Sequence, residues 1–218
     1  MDWPMFQDLD DEDRRRVLQT AHRRQFGPGE ALFHEGDEGT ALYILSHGRV
    51  AVRSSTPQGD VVTLSVLGPG DVFGELALVR PRHQRTASVV ALERVETTTL
   101  EREAFEHLRR AHPSVERFLV AVLAARVARL SAHLVEALHV PADKRVLRRL
   151  LGLVRLYGEG FLPVTVPLTQ DDLASLAGTT RPTANKVLRQ MEELGAVRLS
   201  RGKIQVLDPG ALRARAGS

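Results

Sequence analysis

Residues 168–194 read LTQDDLASLAGTTRPTANKVLRQMEEL, and they predict the architecture of the C-terminal third of the chain. Residues 169–176 are predicted to form a short helix that Thr169 caps, because an acidic residue follows the threonine three positions later. The run Gly-Thr-Thr at 178–180 predicts a tight turn, and residues 180–194 predict a second helix. Two short helices joined by a turn that contains glycine are typical of a helix-turn-helix.

A predicted β-hairpin follows this helix pair. Residues 196–199 and 203–207 are short apolar runs on either side of a Ser-Arg-Gly turn. The combination is typical of a winged helix-turn-helix, whose second helix enters the major groove of DNA. The alternative is an ordinary helical hairpin. Side chains of the kinds that reach base edges or phosphates predict a DNA interface made of Thr169, Thr180, Arg181, Pro182, Thr183, Asn185, Lys186, Arg189, Arg198 and Arg201.

The distribution of charge agrees with DNA binding by the C-terminal third. The net charge of +3 is the sum of +6 from residues 142–218, which hold 13 Lys+Arg and 7 Asp+Glu, and −3 from the rest of the chain. A basic segment of this kind is the expected footprint of a polyanion binder, and a chance surplus of solvated arginines is the alternative.

The region from about residue 26 to residue 100 has a different sequence pattern. Short runs of β-branched and aliphatic residues alternate there with glycine-containing turns, and the clearest runs are 41–45, 50–52, 61–67 and 87–92. Several short strands at near-regular spacing predict an antiparallel barrel or sandwich rather than βαβ units. A short helix is expected before them at residues 10–22, because this segment is acidic at its start and basic later.

A long helical segment connects the two regions. Residues 101–140 predict a helix with a break near His112-Pro113, and Pro141 ends it because the residue before a proline is pushed out of the α conformation. We therefore expect the interdomain hinge at residues 140–142. Apolar residues at 3-4 spacing favour a parallel two-stranded coiled coil, with a helix packed on its own chain as the alternative. The seam consists of Val120, Leu123, Val127, Leu130, Leu134 and Ala137.

Composition excludes several classes of protein. Hydrophobic residues make up 43% and charged residues 26% of the 218-residue chain, as in ordinary soluble proteins. The absence of cysteine excludes disulfide scaffolds, cysteine-ligated zinc, iron–sulfur clusters and thiol catalysis.

The eight histidines show no ligand-spaced cluster and no catalytic set is evident, so we expect neither a metal nor an enzyme. The N-terminus lacks the apolar core of a signal peptide, and no apolar run approaches about 18 residues, so we expect a cytoplasmic protein that does not span a membrane.

A second constellation lies in the strand-rich region. Residues 73–77 read Phe-Gly-Glu-Leu-Ala, and Arg85-Thr86-Ala87 follow. A Gly-Glu pair that opens a short helix offers free backbone N–H groups to an anion, and an arginine pairs with phosphate through its forked guanidinium. Glu75 is able to accept hydrogen bonds from ribose hydroxyls, and Thr86 adds a hydroxyl donor. The alternative is a structural salt bridge between Glu75 and Arg85.

These motifs together resemble the CRP/FNR family, the cyclic-AMP receptor proteins and their relatives, over residues 6–210. The most specific parts are Gly74-Glu75-Leu76 with Arg85-Thr86-Ala87, and residues 168–178 continued to Arg181. The resemblance implies an α+β chain in three parts. These are an N-terminal antiparallel β jelly roll that binds a cyclic nucleotide (1–111), a long dimerisation helix (112–140) and a C-terminal winged helix-turn-helix (141–218). It also implies that Glu75 holds the ribose 2′-hydroxyl and that Arg85 and Thr86 hold the cyclic phosphate, with the backbone amides of Gly74 and Glu75 close by.

The chain departs from the cyclic-AMP receptors at two places. Those receptors read adenine with a Thr-Ser pair on the dimerisation helix, and a gapless alignment places this pair at Leu130-Ser131, so one hydroxyl is lost. Arg126 matches a family arginine near the nucleotide. The receptors' Arg-Glu-x-x-x-Arg on the recognition helix reads Arg181 to Lys186 here, with Pro182 in place of the glutamate. The departures predict weaker selection for adenine and weaker selection at one base pair of the DNA site.

The sequence therefore predicts a homodimeric transcriptional regulator that is switched by a cyclic nucleotide, with cyclic AMP (cAMP) as the first candidate. Its expected partners are double-stranded DNA with a pseudo-palindromic site, a second copy of the chain and RNA polymerase. One alternative is a family member that binds DNA without any ligand, in which Leu130 strengthens the seam enough to hold the active state. A second alternative, from another class, is an enzyme or small-molecule-binding protein that does not bind DNA.

Overall fold

The computed structural model describes residues 21–158 and 162–217. It confirms the expected α+β class, with a strand-rich N-terminal part, a long helix, and a C-terminal part of helices and a small sheet. The strands are β1 His22–Phe26, β2 Ala31–Phe33, β3 Ala41–His47, β4 Val50–Ser55, β5 Val61–Leu67, β6 Val72–Phe73, β7 Ser88–Ala91, β8 Val95–Glu101, β9 Val164–Val166, β10 Val197–Ser200 and β11 Lys203–Val206. The helices are α1 Leu76–Val79, α2 Arg102–Ala111, α3 Pro113–His139, α4 Ala142–Tyr157, α5 Gln170–Leu176, α6 Arg181–Glu193 and α7 Pro209–Ala216.

Two four-stranded sheets form the N-terminal roll. One has the strand order β1-β8-β3-β6 and the other has the order β2-β7-β4-β5. In the first sheet Tyr43 of β3 lies opposite Thr99 of β8 on one side and opposite Phe73 of β6 on the other, and both pairings are antiparallel. Strands that are distant in sequence are thus neighbours in space, which distinguishes a jelly roll from a meander of hairpins.

Strand β3 separates two hydrophobic clusters. Successive side chains of a strand point to opposite faces, so Leu42 and Ile44 pack on one face and Tyr43 and Leu45 on the other. The first face packs against α2 and the start of α3, and the second face fills the inside of the roll. The roll cluster contains Phe73, the last residue before the Gly-Glu motif, so the packed core anchors one end of this motif.

Helix α3 is buried at its start and exposed along most of its length. Val115 and Leu119 belong to the first cluster, whereas Val127 and Leu130 are more than 60% exposed. Among the described helices, α3 is the one whose length and apolar composition would be sufficient to cross a membrane. Arg126 and Arg129 interrupt the apolar run, so the sequence does not show the unbroken apolar stretch that is typical of a membrane span. A long apolar helix that packs against another protein surface meets the same two criteria, so they do not by themselves assign α3 to a membrane.

The C-terminal part confirms the winged helix-turn-helix. Helices α5 and α6 are joined by a short turn, and β10, β11 and β9 form a three-stranded sheet in that order. Thr169 caps α5 in a complete capping box with Asp172, as the sequence predicted, and Thr180 caps α6 by accepting from the backbone N–H of Thr183. The buried core of this part includes Val146, Leu150, Leu173, Val187, Leu188, Met191 and Ile204.

Several elements of the structure were not expected from the sequence. Strands β1, β2, β6, β8 and β9 and helix α7 are additional to the predicted ones. Residues 10–20 of the expected N-terminal helix lie outside the described residues. His22, the expected last residue of that helix, instead begins β1, where it pairs with Thr99 of β8.

Contacts divide the chain into two compact units. The first comprises the described residues up to Ser54 together with Leu67–Ser131, and the second comprises Ser55–Val66 together with the described residues from Ala132 onward. The last turns of α3 are therefore grouped with the C-terminal unit. The functional limits 1–111, 112–140 and 141–218 stay a prediction.

Candidate functional site

The first candidate site begins where β6 runs into α1. Gly74 has a φ of +81°, and a Cβ at this position would lie 2.6 Å from Nη1 of Arg85. Glycine is required here both by the backbone conformation and by the close approach of the guanidinium. Glu75 follows at the N-cap of α1 and is fully buried. The Gly-Glu pair thus opens a short helix, as the sequence predicted.

Arg85 crosses this site and joins separate segments of the roll. Its Nη1 donates to the Gly74 carbonyl and its Nη2 to the Ala41 carbonyl, both at 2.8 Å. Its Cζ lies 4.1 Å from the centroid of the Phe33 ring, which is a cation–π distance. The residue is 5% exposed, yet its Nε has no hydrogen-bond partner. A buried N–H donor is therefore left unsatisfied in the site.

Glu75 pairs with Arg126 of α3. Its Oε1 accepts from Nη1 of Arg126 at 2.6 Å, whereas its buried Oε2 has no partner. Burial raises the pKa of Glu75, and the positive charge of Arg126 opposes this effect without cancelling it. Because Arg85 bonds to carbonyls instead, the alternative of a direct Glu75–Arg85 salt bridge is wrong.

The other expected ligand-binding residues differ in how close they lie to this pair. Leu76, Thr86 and Ala87 lie next to Glu75 and Arg85 in the chain, and the Thr86 side chain is exposed. Arg126 is brought to the site by its bond to Glu75, which local sequence spacing could not show. Leu130 and Ser131 are exposed on α3, one turn beyond Arg126, and no contact described in the structure joins them to Glu75 or Arg85.

The second candidate site is the exposed face of α6. Arg181 and Lys186 are exposed, while Asn185 is half-buried. Helix α5 tethers two of these side chains, because Asp171 lies 3.4 Å from Nη1 of Arg181 and Gln170 accepts from Nδ2 of Asn185 at 2.6 Å. Of the remaining expected DNA contacts, Thr183 is half-buried and the exposed ones are Thr169, Thr180, Pro182, Arg189, Arg198 and Arg201.

Glu192 links the recognition helix to the wing. One carboxylate oxygen accepts from the backbone N–H of Leu199 in β10 at 2.8 Å, and the other accepts from Arg189 at 2.7 Å. The bond from Leu199 is the main cause that lowers the pKa of Glu192. Gln170, Asp171 and Glu192 were not predicted from the sequence, because their partners are set by the packing of α5, α6 and the wing.

Within residues 21–158 and 162–217, no group of three or more His, Asp or Glu side chains is arranged to hold a metal ion.

A β-roll with a buried carboxylate and guanidinium, together with a winged helix-turn-helix, defines a class of ligand-binding DNA-binding regulators. Comparison with known families agrees with this class. Residues 23–112 match the cyclic nucleotide-binding domain, and residues 144–215 match the Crp-like helix-turn-helix domain.

Individual proteins of this kind match nearly the whole chain. The chain is 36% identical over 209 residues to the cyclic AMP receptor protein of Thermus thermophilus, covering 96% of this chain and 94% of that protein. It is 33% identical over 194 residues to the CRP-like cAMP-activated global transcriptional regulator of Mycobacterium tuberculosis, covering 88% and 86%. A solved structure assigned to the crp/fnr family, from Eubacterium rectale, shares the fold with a TM-score of 0.80 at 21% identity and covers 99% of both chains. The chain belongs to the CRP/FNR family of transcriptional regulators, and it is a DNA-binding regulator with a cyclic nucleotide-binding domain.

Proposed function

We propose that the chain is a homodimeric transcriptional regulator whose DNA binding is switched by cAMP. The observation that carries the proposal is the pair of unsatisfied buried atoms, Oε2 of Glu75 and Nε of Arg85. Buried polar groups without partners are costly, so such atoms are expected where a ligand supplies the missing hydrogen bonds. A buried acceptor and a buried cationic donor suit a ligand that combines hydroxyl groups with an anion.

The residues present fit a cyclic nucleotide. Arg85 and Thr86 would hold its phosphate beside the backbone N–H groups of Gly74 and Glu75, and the Glu75 carboxylate would accept from the ribose hydroxyl. Leu76 and Ala87 would complete the segments on either side. We favour cAMP because the names of two relatives that match 88% or more of this chain refer to cyclic AMP or to activation by cAMP.

The exposed seam of α3 supports a dimer. Val120, Val127, Leu130 and Leu134 are each 61–63% exposed. Apolar side chains repeated at heptad spacing along one side of a helix are expected to pack against an equivalent helix. A second copy of α3 would cover this face. The seam is not uniform, because Leu123 is already half-buried on its own chain.

Dimer symmetry determines how DNA would be read. Two recognition helices related by a two-fold axis require a pseudo-palindromic site with half-sites about 34–36 Å apart. For the nucleotide to switch DNA binding, it must bind one arrangement of the dimer more tightly than the other, since a ligand shifts an equilibrium only by its differential affinity. We propose that the regulator acts in the cytoplasm with RNA polymerase as a partner, and that its functional parts are 1–111, 112–140 and 141–218.

A ligand-independent regulator is the second candidate, and Leu130 favours it. A leucine at this seam position strengthens apolar packing between helices and offers no hydroxyl to a base. In that case the dimer would hold its DNA-binding arrangement without a nucleotide. An enzyme without DNA binding has no such support, since residues 144–215 match a helix-turn-helix domain and the Mycobacterium tuberculosis relative is named as a transcriptional regulator.

Calorimetric titration of the purified protein with cAMP and with cyclic GMP tests the proposal. The test variant is Arg85→Lys, which keeps the positive charge but removes the planar, multi-donor guanidinium. Arg85→Leu is less suitable, because it would leave the carbonyls of Gly74 and Ala41 without any donor. We expect cAMP to bind wild-type protein and Arg85→Lys to bind about tenfold or more weakly, because a charge-assisted hydrogen bond is lost. Arg82→Lys, an exposed change in the same loop, is the matched control. Wild-type protein that shows neither heat nor a thermal shift at millimolar cAMP would instead support the ligand-independent regulator.

A further inference from the structure

The guanidinium of Arg145, in the first turn of α4, bonds to the ends of two other helices. Its Nη1 donates to the Val140 carbonyl at 2.7 Å and to the Ala137 carbonyl at 3.2 Å, at the end of α3. Its Nε donates to the Ala177 carbonyl at 2.9 Å and its Nη2 to the Gly178 carbonyl at 2.8 Å, at the end of α5. The last carbonyls of a helix lack partners within the helix and carry partial negative charge, so a single cation stabilises both ends.

A second set of contacts joins the same elements. Glu136 of α3 accepts from Arg148 and from Arg149 of α4, and Arg149 also donates to the Leu176 carbonyl at the end of α5. Burial alone would raise the pKa of Glu136, but Arg149 and Arg148 outweigh this effect and lower it. The end of α3, the start of α4 and the end of α5 are thus held together by one ionic and hydrogen-bonded network.

The position of Gly178 gives this network a specific consequence. Gly178 lies in the turn that leads directly to Thr180, the N-cap of α6, and to Arg181, its first residue. The direction of α6 therefore depends on where this turn is held. We infer that Arg145 is a positioning residue that sets the recognition helix relative to the end of α3. The inference rests on the proposed function, because α3 determines DNA spacing only if it lies at the dimer axis.

Lysine at this position would not reproduce the contacts. Arginine presents N–H groups from three nitrogens in a rigid fork, and Arg145 uses all three nitrogens on two chain segments. A lysine keeps the charge but has one nitrogen, so it would satisfy one helix end and leave the other free. Arg145→Lys is therefore a conservative variant that separates the charge from the connection. Arg155→Lys, at an exposed position of the same helix, is the matched control.

The test is how strictly the full-length protein selects half-site spacing. A binding site is first selected from random duplexes with wild-type protein, and affinity is then measured for that site and for versions with one base pair added or removed between the half-sites. Wild-type protein and Arg155→Lys should discriminate strongly against the altered spacings. In Arg145→Lys we expect this discrimination to fall by about tenfold, the effect of losing one charge-assisted hydrogen bond that holds the helix.

A merely structural role predicts a different result. If Arg145→Lys lowers affinity for all spacings by the same factor, or lowers only the melting temperature, the inference is wrong. Amide hydrogen exchange of the full chain supplies a readout that needs neither DNA nor nucleotide. Exchange should rise in Arg145→Lys both at residues 138–140 and at residues 177–181, and unchanged exchange at either segment would overturn the inference. If wild-type protein shows no spacing preference, the proposed function fails, and the exchange measurement decides the inference alone.

Discussion

Replacing Glu75 with glutamine removes the charge of the carboxylate at the candidate nucleotide site and keeps its shape. In the structure this carboxylate is fully buried, one oxygen is bonded to Arg126, and the other has no partner. The glutamine carbonyl is able to keep the bond to Arg126. The variant therefore changes the charge while disturbing little of the packing.

The expected change in stability follows from these contacts. An unsatisfied buried group costs about 1–3 kcal/mol, and more when it is charged. The pair with Arg126 offsets part of this cost, but the Arg126 side chain is 28% exposed, so solvent screens it and the gain is about 1 kcal/mol or less. Without nucleotide at pH 7, we expect Glu75→Gln to be about 1 kcal/mol more stable than wild type. Its affinity for cAMP should fall about tenfold or more, because an amide nitrogen does not accept from a ribose hydroxyl.

The pH dependence of the stability difference shows whether the buried charge of Glu75 is its cause. Because the pKa of Glu75 is raised in the folded state, the folded protein binds the proton more tightly than the unfolded chain does. The stability that this proton contributes is present below the ordinary pKa of about 4.5 and is lost as the pH rises through the folded pKa. The difference in unfolding free energy between Glu75→Gln and wild type should thus be near zero at about pH 4 and should grow to a plateau at neutral pH.

Urea unfolding at several pH values, without nucleotide, measures this difference, and calorimetry measures cAMP binding. Glu103→Gln, an exposed change on α2, is the control and should show neither effect. A stability difference that is the same at about pH 4 and at neutral pH, or a loss of stability at neutral pH, would contradict the cost assigned to the buried charge. Unchanged cAMP affinity would mean that Glu75 does not bind the nucleotide.

Three further predictions concern the dimer, the DNA and the base. Val127→Asp, at an exposed position of the α3 seam, should sediment as a folded monomer, because two unpaired carboxylates facing each other in the interface cost several kcal/mol. The control Ala125→Asp lies outside the seam and should stay dimeric, whereas a dimeric Val127→Asp would place the interface elsewhere. Arg181→Ala should lose about 1–3 kcal/mol of binding free energy on the selected site and should lose selectivity at one base pair. Arg201→Ala should weaken binding to all duplexes alike and reduce the slope of log affinity against log salt concentration by about 1. An unchanged consensus sequence for Arg181→Ala would contradict the placement of α6 in the major groove. Leu130→Thr should increase the preference for cAMP over cyclic GMP by several-fold in paired titrations, and an unchanged ratio would mean that this position does not face the base.

The parts of the fold that depend on neighbours in sequence followed from the sequence alone. Helix α3 ends at His139, just before the stop predicted at Pro141, and α5 has the predicted capping box between Thr169 and Asp172. The break before Pro113 was also predicted. A cap or a proline acts within one turn of the chain, so the residues that cause these features are adjacent and readable.

Strands whose stability comes from distant partners were not found in this way. Strand β8 reads Val-Glu-Thr-Thr-Thr-Leu-Glu, which is not an apolar run, yet Thr97, Thr98 and Thr99 are all buried. It is a strand because β1 and β3 pair with its two edges, and both lie more than forty residues away in sequence. Pairing and burial of this kind are tertiary, and the local sequence carries little sign of them.

The same division holds for the two sites. The family motifs, the Gly-Glu turn and the basic face of the recognition helix were predictable, because each consists of residues close together in the chain. Only the tertiary structure showed that Glu75 pairs with Arg126 rather than with Arg85, and that Arg145 joins the ends of α3 and α5. The choice of partner for a long charged side chain depends on which backbone and side-chain atoms packing brings within about 3 Å, and sequence spacing does not encode that distance.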